Sequence, residues 1–154
     1  RRFTLLLEDL QDPGNVGTVL RTSAAAGVDQ VLLSKHCAFA WSPKVLRAAQ
    51  GAHFLTTVAE DTDLTAWATQ FRAAGGRVVA LEPHGGEPLF DAPLGMPLAL
   101  AVGNEGAGLS EALLAVADAR VTIPMPGGME SLNAAAAAAV ALFECLRRSL
   151  QENR

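Results

Sequence analysis

The sequence predicts an α/β domain built on a mainly parallel sheet with helices on both faces. Three observations carry that prediction. Short apolar runs alternate with longer stretches of helical periodicity along the whole chain. The length, 154 residues, suits one domain and leaves little room for two. Half of the residues are apolar and only 18% are charged, which supplies one substantial core and excludes intrinsic disorder as a description of the chain.

In chain order, residues 3–7 form the first apolar run and read as a strand. Residues 16–26 follow as a helix with Val16, Val19, Leu20 and Ala24 on its buried stripe. Strand 30–33 and helix 43–50 repeat the pair, and strand 54–58 and helix 64–74 repeat it again. Strand 77–81 runs into Pro83-His84-Gly85-Gly86-Glu87-Pro88, which reads as a long loop. Strand 98–102, helix 111–117 and strand 120–123 come next. Helix 132–150 closes the chain, its alanine run 134–139 a strong helix former. Leu132, Ala136, Val140, Phe143 and Arg147 follow one stripe of that helix, yet Ala134, Ala138 and Ala141 across from them are apolar too. A helix apolar all round is buried all round, so one face is expected on the sheet and the other against a second subunit.

Composition excludes several classes. Twelve basic against sixteen acidic residues give a net charge of −4, so the bulk charge shows no strongly basic nucleic-acid clamp. No apolar run approaches the ~20 residues of a membrane-spanning helix, and a soluble protein with no membrane partner is expected. Cys37 and Cys145 stand far apart in no CxxC or Cys/His pattern. Neither a disulfide framework nor a zinc site is indicated, no metal-ligand cluster is present, and reduced thiols in a cytoplasm are expected. The chain begins Arg1-Arg2 with no initiator Met or signal-peptide pattern and enters an apolar run at once. Further natural sequence is therefore expected upstream.

Ligands of open parallel sheets bind beyond the carboxyl ends of the strands, which points to the loops after Leu7, Leu81, Val102 and Ile123. The first loop, Glu8-Asp9-Leu10-Gln11-Asp12-Pro13-Gly14-Asn15-Val16-Gly17, enters a helix for which Asn15 suits an N-cap. Arg21 stands one residue off that helix's buried stripe and can reach the rim of the sheet. The second, Leu81-Glu82-Pro83-His84-Gly85-Gly86, offers two glycines for close backbone approach to a ligand or simply for a turn; a lone loop His84 adds little. The third, Gly103-Asn104-Glu105-Gly106-Ala107-Gly108-Leu109-Ser110, has the order G-x-x-G-x-G, unlike the dinucleotide fingerprint. Glu105 would repel a phosphate there and suits an amine or hydroxyl, while Ser110 caps the next helix. The fourth, Ile123-Pro124-Met125-Pro126-Gly127-Gly128-Met129-Glu130-Ser131-Leu132-Asn133, is wide and stiff. Ser131 can cap the last helix, and Asn133 falls in its first turn.

Together these residues carry a family resemblance. Asp12-Pro13-Gly14-Asn15-Val16-Gly17 with Arg21, then Gly103-Asn104-Glu105-Gly106, then Ile123-Pro124-Met125 with Ser131-Leu132-Asn133 resemble the three ordered motifs of the SpoU (TrmH-like) branch of the SPOUT methyltransferases. The likeness covers essentially the whole chain, and Lys44-Val45-Leu46-Arg47-Ala48 with Gly51-Ala52 also resembles a family segment. It implies S-adenosylmethionine-dependent methylation of a ribose 2′-hydroxyl in ribosomal or transfer RNA. It also implies a C-terminal segment threaded into a deep trefoil knot, and an obligate dimer; the apolar last helix is the expected interface of that homodimer. By the same resemblance Leu81, Glu82, Gly103, Asn104, Gly106, Ile123, Pro124, Met125, Leu132 and Asn133 would hold the bent cofactor. Asn15, Arg21, Glu105, Ser131 and Asn133 match the family's polar active-site positions. Arg21 is often cast there as the base. A guanidinium pKa above about 12 favours instead a grip on the target phosphate and on the developing alkoxide, with Glu105 orienting Arg21 or the substrate. No metal is required.

The acidic balance weighs against RNA binding, which rests on neutralising phosphates. Arg1, Arg2, Lys35, Lys44, Arg47 and the distant Arg147-Arg148 are the basic residues at hand. Many relatives carry a separate N-terminal RNA-recognition domain, and one is expected upstream of this catalytic domain, which would span residues 1–154. Two other readings stay open. A non-catalytic RNA-binding relative is opposed by the intact set Asn15, Arg21, Glu105 and Asn133. An unrelated Rossmann-like nucleotide-binding enzyme is opposed by the glycine order and the missing ribose-binding acid.

Overall fold

The computed structural model describes residues 2–153, so Arg1 of the basic set lies outside them. Phe3–Leu7 (β1), Gln30–Leu33 (β2), Thr57–Ala59 (β3), Arg77–Leu81 (β4), Glu87–Pro88 (β5), Leu98–Val102 (β6) and Ala119–Thr122 (β7) form one seven-stranded sheet. Its order is β3-β2-β1-β6-β4-β7-β5, and every pairing among the described residues is parallel. Helices Pro13–Ala25 (α1), Pro43–Ala49 (α2), Leu64–Ala73 (α3), Glu111–Ala115 (α4) and Ala134–Glu152 (α5) cover it.

Alternation along the strands divides the core into two layers. Leu5 and Leu7 of β1 and Leu98 and Leu100 of β6 face one side, packed with Val16, Val19 and Leu20 of α1 and Leu142 of α5. Leu6, Ala99 and Ala101 face the other, with Leu64 and Ala68 of α3 and Leu113 of α4. The central strands β1 and β6 are buried over their full length, as parallel strands covered on both faces should be. On the first face α1 and α2 lie close enough that a Cβ on Gly17 would stand 2.5 Å from Ala48 Cβ and 2.6 Å from the Val45 carbonyl oxygen. Only glycine fits that crossing.

Several element boundaries differ from the sequence expectation, each for a local reason. The first helix starts at Pro13, and its N-cap is Asp12, whose Oδ1 accepts the Asn15 N–H at 3.0 Å; Asn15 is not the cap. Proline suits that first position because its missing N–H would be unpaired there anyway. The expected strand 54–58 is a 3₁₀ turn, Ala52–Phe54, followed by the short β3. Phe54 and Leu55 are 93% and 77% exposed, so that apolar run is not a core run. Glu87–Pro88, expected as loop, pairs with β7 as an edge strand. The last helix begins at Ala134, capped by Asn133 rather than Ser131: Asn133 Oδ1 accepts the N–H groups of Ala135 and Ala136 at 2.9 and 3.1 Å.

Of the two apolar faces of α5, the alanine-rich one is turned inward. Ala135, Ala138, Ala141, Leu142 and Cys145 are buried, while Val140 and Phe143 point outward. Small alanines let the helix lie close against α1 and the sheet, which leaves the bulky side chains outside. No helix among the described residues is long and apolar enough to cross a membrane, and no cluster of His, Cys, Asp and Glu could hold a metal ion.

Candidate functional site

Strands β4, β6 and β7 end at one edge of the sheet, and their loops enclose a cavity of about 370 Å³ together with the start of α5. That volume lies within the range of small-molecule sites. Leu81, Val102, Ile123, Met125 and Leu132 give it apolar walls, and the turn 103–108 gives it exposed main chain. Glu82, Glu105 and Glu130 also line it, and no Lys or Arg does. Arg120 stands 3.7 Å from the Glu82 carboxylate without joining the lining.

The turn is built by Asn104. Its backbone pairs with Gly108 in both directions at 3.1 and 3.0 Å. Its Oδ1 accepts the N–H groups of Gly106 and Ala107 at 2.9 and 2.8 Å, and its Nδ2 donates to the Asp9 carbonyl at 2.7 Å. The strand returns so tightly that a Cβ on Gly103 would stand 2.4 Å from the Gly108 carbonyl carbon and 2.5 Å from Leu109 N. Bonds from Asn104 thus shape the loop and use the N–H groups of Gly106, Ala107 and Gly108 to hold it.

A second cleft, about 780 Å³, opens beside the first. Gln11, Asp12, Pro13, Asn15 and Asn133 line it, and Glu105, Ser131, Leu132 and Ala134 belong to both spaces. At this shared wall the Glu105 carboxylate accepts the Asp12 N–H at 3.0 Å and the Gln11 N–H at 3.3 Å. Partial burial pushes its pKa up, but hydrogen bonds from its own N–H, from Asp12 and Gln11 and from the Asn15 side chain outweigh this and hold it below 4.5. Glu105 therefore stays ionised at neutral pH. Asn133 Nδ2 donates to Asn15 Oδ1 at 3.2 Å, which joins the two helix starts at the same wall.

Of the residues singled out in the sequence, Leu81, Glu82, Gly103, Asn104, Gly106, Ile123, Met125 and Leu132 line the first cavity, and Asn15 and Asn133 line the second. Pro124 is exposed and lines neither. Arg21 is exposed on α1, two turns from the shared wall, and also lines neither. Glu105 faces the β1–α1 loop and Asn15 rather than Arg21. Sequence reasoning missed Asp12 as the cap, although Asp-Pro is a helix-start signal. It also missed Glu8, whose carboxylate holds the start of α4 by accepting Ser110 N–H at 2.6 Å and its Oγ–H at 2.8 Å.

A doubly wound parallel sheet with a cavity at the carboxyl ends of its central strands defines the class: an α/β domain with a second, more open cleft alongside. The family model for the SpoU rRNA Methylase family matches residues 2–143, and the chain belongs to that family, the SpoU branch of the SPOUT methyltransferases. It is 42% identical over 142 residues to the 23S rRNA (guanosine(2553)-2′-O)-methyltransferase RlmP of Bacillus subtilis (strain 168), covering 92% of this chain and 57% of that protein. It is 34% identical over 151 residues to the 23S rRNA (uridine(2479)-2′-O)-methyltransferase of Streptomyces viridochromogenes, covering 95% and 53%. Among solved structures, the SpoU methyltransferase AviRb from Streptomyces viridochromogenes in complex with AdoMet superposes with a TM-score of 0.88 at 33% identity, covering 97% of this chain and 61% of that one. The chain spans about half the length of the curated relatives it matches.

Proposed function

We propose that this chain is the catalytic domain of an S-adenosylmethionine-dependent RNA 2′-O-ribose methyltransferase acting on ribosomal or transfer RNA. The observation that carries the reading is the lining of the first cavity: apolar walls, a glycine-rich turn, three carboxylates and no Lys or Arg. Such a site suits a cationic, phosphate-free adenosyl ligand. A dinucleotide or nucleoside triphosphate would meet electrostatic repulsion there. S-adenosylmethionine, when bound, supplies a methyl group on a sulfonium. The names of the relatives, two of them 23S rRNA 2′-O-methyltransferases, support the same chemistry.

In this reading the second cleft receives the ribose, and the shared wall sets the two reactants side by side. Proximity and alignment supply much of the rate of such an in-line displacement. Asn15, Ser131 and Asn133 orient the 2′-hydroxyl, and Glu105 fixes the loop that leads into the helix carrying Asn15. Leu81, Glu82, Gly103, Asn104, Gly106, Ile123, Met125 and Leu132 form the cofactor side, while Pro124 stands outside the cavity and Asn133 on the ribose side. Arg21 grips the target phosphate and stabilises the developing oxyanion, with the proton passing on through phosphate or water. The reading includes the knotted threading of the C-terminal segment, an upstream RNA-recognition domain and a cytoplasmic setting. It also includes a homodimer through α5, whose outward Val140, Phe143 and Leu150 form an exposed apolar stripe.

The test is incubation of the full-length protein with methyl-labelled S-adenosylmethionine and ribosomal or transfer RNA, followed by nucleoside analysis of the digested product. A single 2′-O-methylated nucleoside is expected. Label on a base, or no transfer to either RNA, overturns the reading.

A further inference from the structure

We propose that loop 34–42 and the outer face of α2 form a second RNA-binding surface, which stacks unpaired bases and grips phosphates flanking the target nucleotide. This rests on the RNA-methylating reading and adds to it a place where the strand continues beyond the cleft. Residues 30–59 contain Lys35, Lys44 and Arg47 and no Asp or Glu, while the other 124 residues carry nine basic and sixteen acidic side chains. Positive charge in this acidic chain is therefore concentrated on one segment.

The same segment displays aromatic rings. Phe39 is 60% exposed and Trp41 42% exposed, with ring centroids 6.5 Å apart, and the His53 ring stands 5.3 Å from Trp41. These rings are held on a rigid frame. Ala40 between them is fully buried, its N–H donates to Glu60 Oε2 at 2.9 Å, and its carbonyl oxygen accepts from His53 Nε2 at 2.7 Å. Fixing Ala40 inward forces Phe39 and Trp41 outward. On α2, Lys44 and Arg47 are three residues apart and exposed, opposite the buried Val45 and Ala49. Rigid aromatic faces beside exposed cations are the two components of single-strand binding: stacking on any base, and phosphate neutralisation.

The surface adjoins the proposed ribose cleft. The Ser34 hydroxyl donates to Asp9 Oδ1 at 2.7 Å and accepts the Asp9 N–H at 2.8 Å, and the Ala38 N–H donates to the Leu10 carbonyl at 2.9 Å. Loop 34–42 is thus bound to the segment whose next residues, Gln11, Asp12 and Pro13, line that cleft. In this proposal a strand leaving the cleft past Gln11 continues onto loop 34–42.

The experiment is fluorescence anisotropy of a labelled single-stranded 12-nucleotide RNA titrated with the chain and its variants. Trp41→Ala and Phe39→Ala are each expected to weaken binding about tenfold, with Trp41→Phe restoring most of the loss. Lys35→Gln with Lys44→Gln is expected to flatten the dependence of log affinity on log salt by about 0.7 per lost contact. Calorimetric affinity for S-adenosylmethionine stays unchanged in all four, which shows that the fold is intact. Equal RNA affinity in wild type and Trp41→Ala, or no RNA binding by the chain, overturns the proposal. So does a sedimentation shift showing that Trp41→Ala instead dissociates a dimer. Failure of methyl transfer by the full-length wild-type protein overturns the underlying reading, and is read separately from these affinities.

Discussion

The Asn133 side chain donates through Nδ2 to Asn15 Oδ1 at 3.2 Å, and this one bond links the starts of α5 and α1 across 118 positions of sequence. Both amides are used at both ends. Asn133 Oδ1 is occupied as the cap of α5, so only its Nδ2 is free to reach Asn15. With its oxygen occupied by Asn133, Asn15 turns its amide to Glu105, which in turn fixes Gln11 and Asp12. The order Asn133, Asn15, Glu105 is therefore a directed network that runs from the cap of the last helix to the first loop.

Asn133→Asp separates the two duties of Asn133. Aspartate caps a helix as well as asparagine does, so thermal unfolding should match wild type within a few degrees. A carboxylate cannot donate to Asn15, and it adds negative charge near Glu105. Single-turnover methylation should fall at least tenfold. Asn133→Ala should lose activity and also about 1 kcal/mol of stability with the cap. Full activity in Asn133→Asp would remove this bond from the proposed mechanism.

Glu105 gives the site a pH dependence with a definite sign. Its pKa is depressed by hydrogen bonds that outweigh desolvation. The bracing it provides is therefore complete above the ordinary carboxylate range and is lost as pH falls through the lowered value. The Gln11 and Asp12 amide protons should titrate together in NMR spectra with one midpoint below 4.5, the reference value for glutamate. Glu105→Gln should abolish the titration, because a carboxamide does not ionise and has one acceptor oxygen for two N–H donors. Independent midpoints for the two amides would contradict a shared carboxylate.

Much of this architecture was legible in local patterns. Strands 3–7, 30–33, 77–81 and 98–102 match the expected bounds, because five- or four-residue apolar runs between turn residues allow few other readings. The four loops were found because ligands gather at strand ends. What local pattern does not contain is strand order. β6 lies between β1 and β4, which brings Glu105 to Gln11, and the packing of α5 on α1 brings Asn133 to Asn15. Phe54 failed as a strand because exposure, not periodicity, decides whether an apolar residue is core. β5 has no apolar residue to announce it. Which face of α5 meets the sheet was not legible because alanine and phenylalanine are both apolar, and only packing distance selects the smaller for the buried face.

Gly103→Ala tests the first cavity. The added methyl would lie 2.4–2.6 Å from backbone atoms of Gly108 and Leu109, which cannot swing aside as a side-chain tip could. The turn 103–108 must shift, at a cost of about 1–3 kcal/mol typical of overpacking. Calorimetry should show S-adenosylmethionine affinity reduced at least tenfold, since this turn contributes the exposed main chain of the cavity. Unchanged affinity would place the cofactor elsewhere.

Arg21→Ala separates catalysis from cofactor binding. Val16, Val19 and Leu20 complete the buried stripe of α1 without Arg21. Among the described residues no hydrogen bond or ion pair holds the exposed guanidinium, so its loss should change stability by no more than about 0.5 kcal/mol. It lines neither cavity, so cofactor affinity should also stay as it is. If the guanidinium reaches the target phosphate or the 2′-oxyanion, its contribution is felt mainly in the transition state. The single-turnover rate on the natural RNA should then fall about 10²–10³-fold, the usual loss for one such donor. Arg21→Lys should recover only part of it, because a point charge does not reproduce a bidentate grip. A near-normal rate in Arg21→Ala, with folding and cofactor binding intact, would return Arg21 to the status of an ordinary surface charge and leave Asn15, Ser131 and Asn133 as the polar groups at the reacting oxygen.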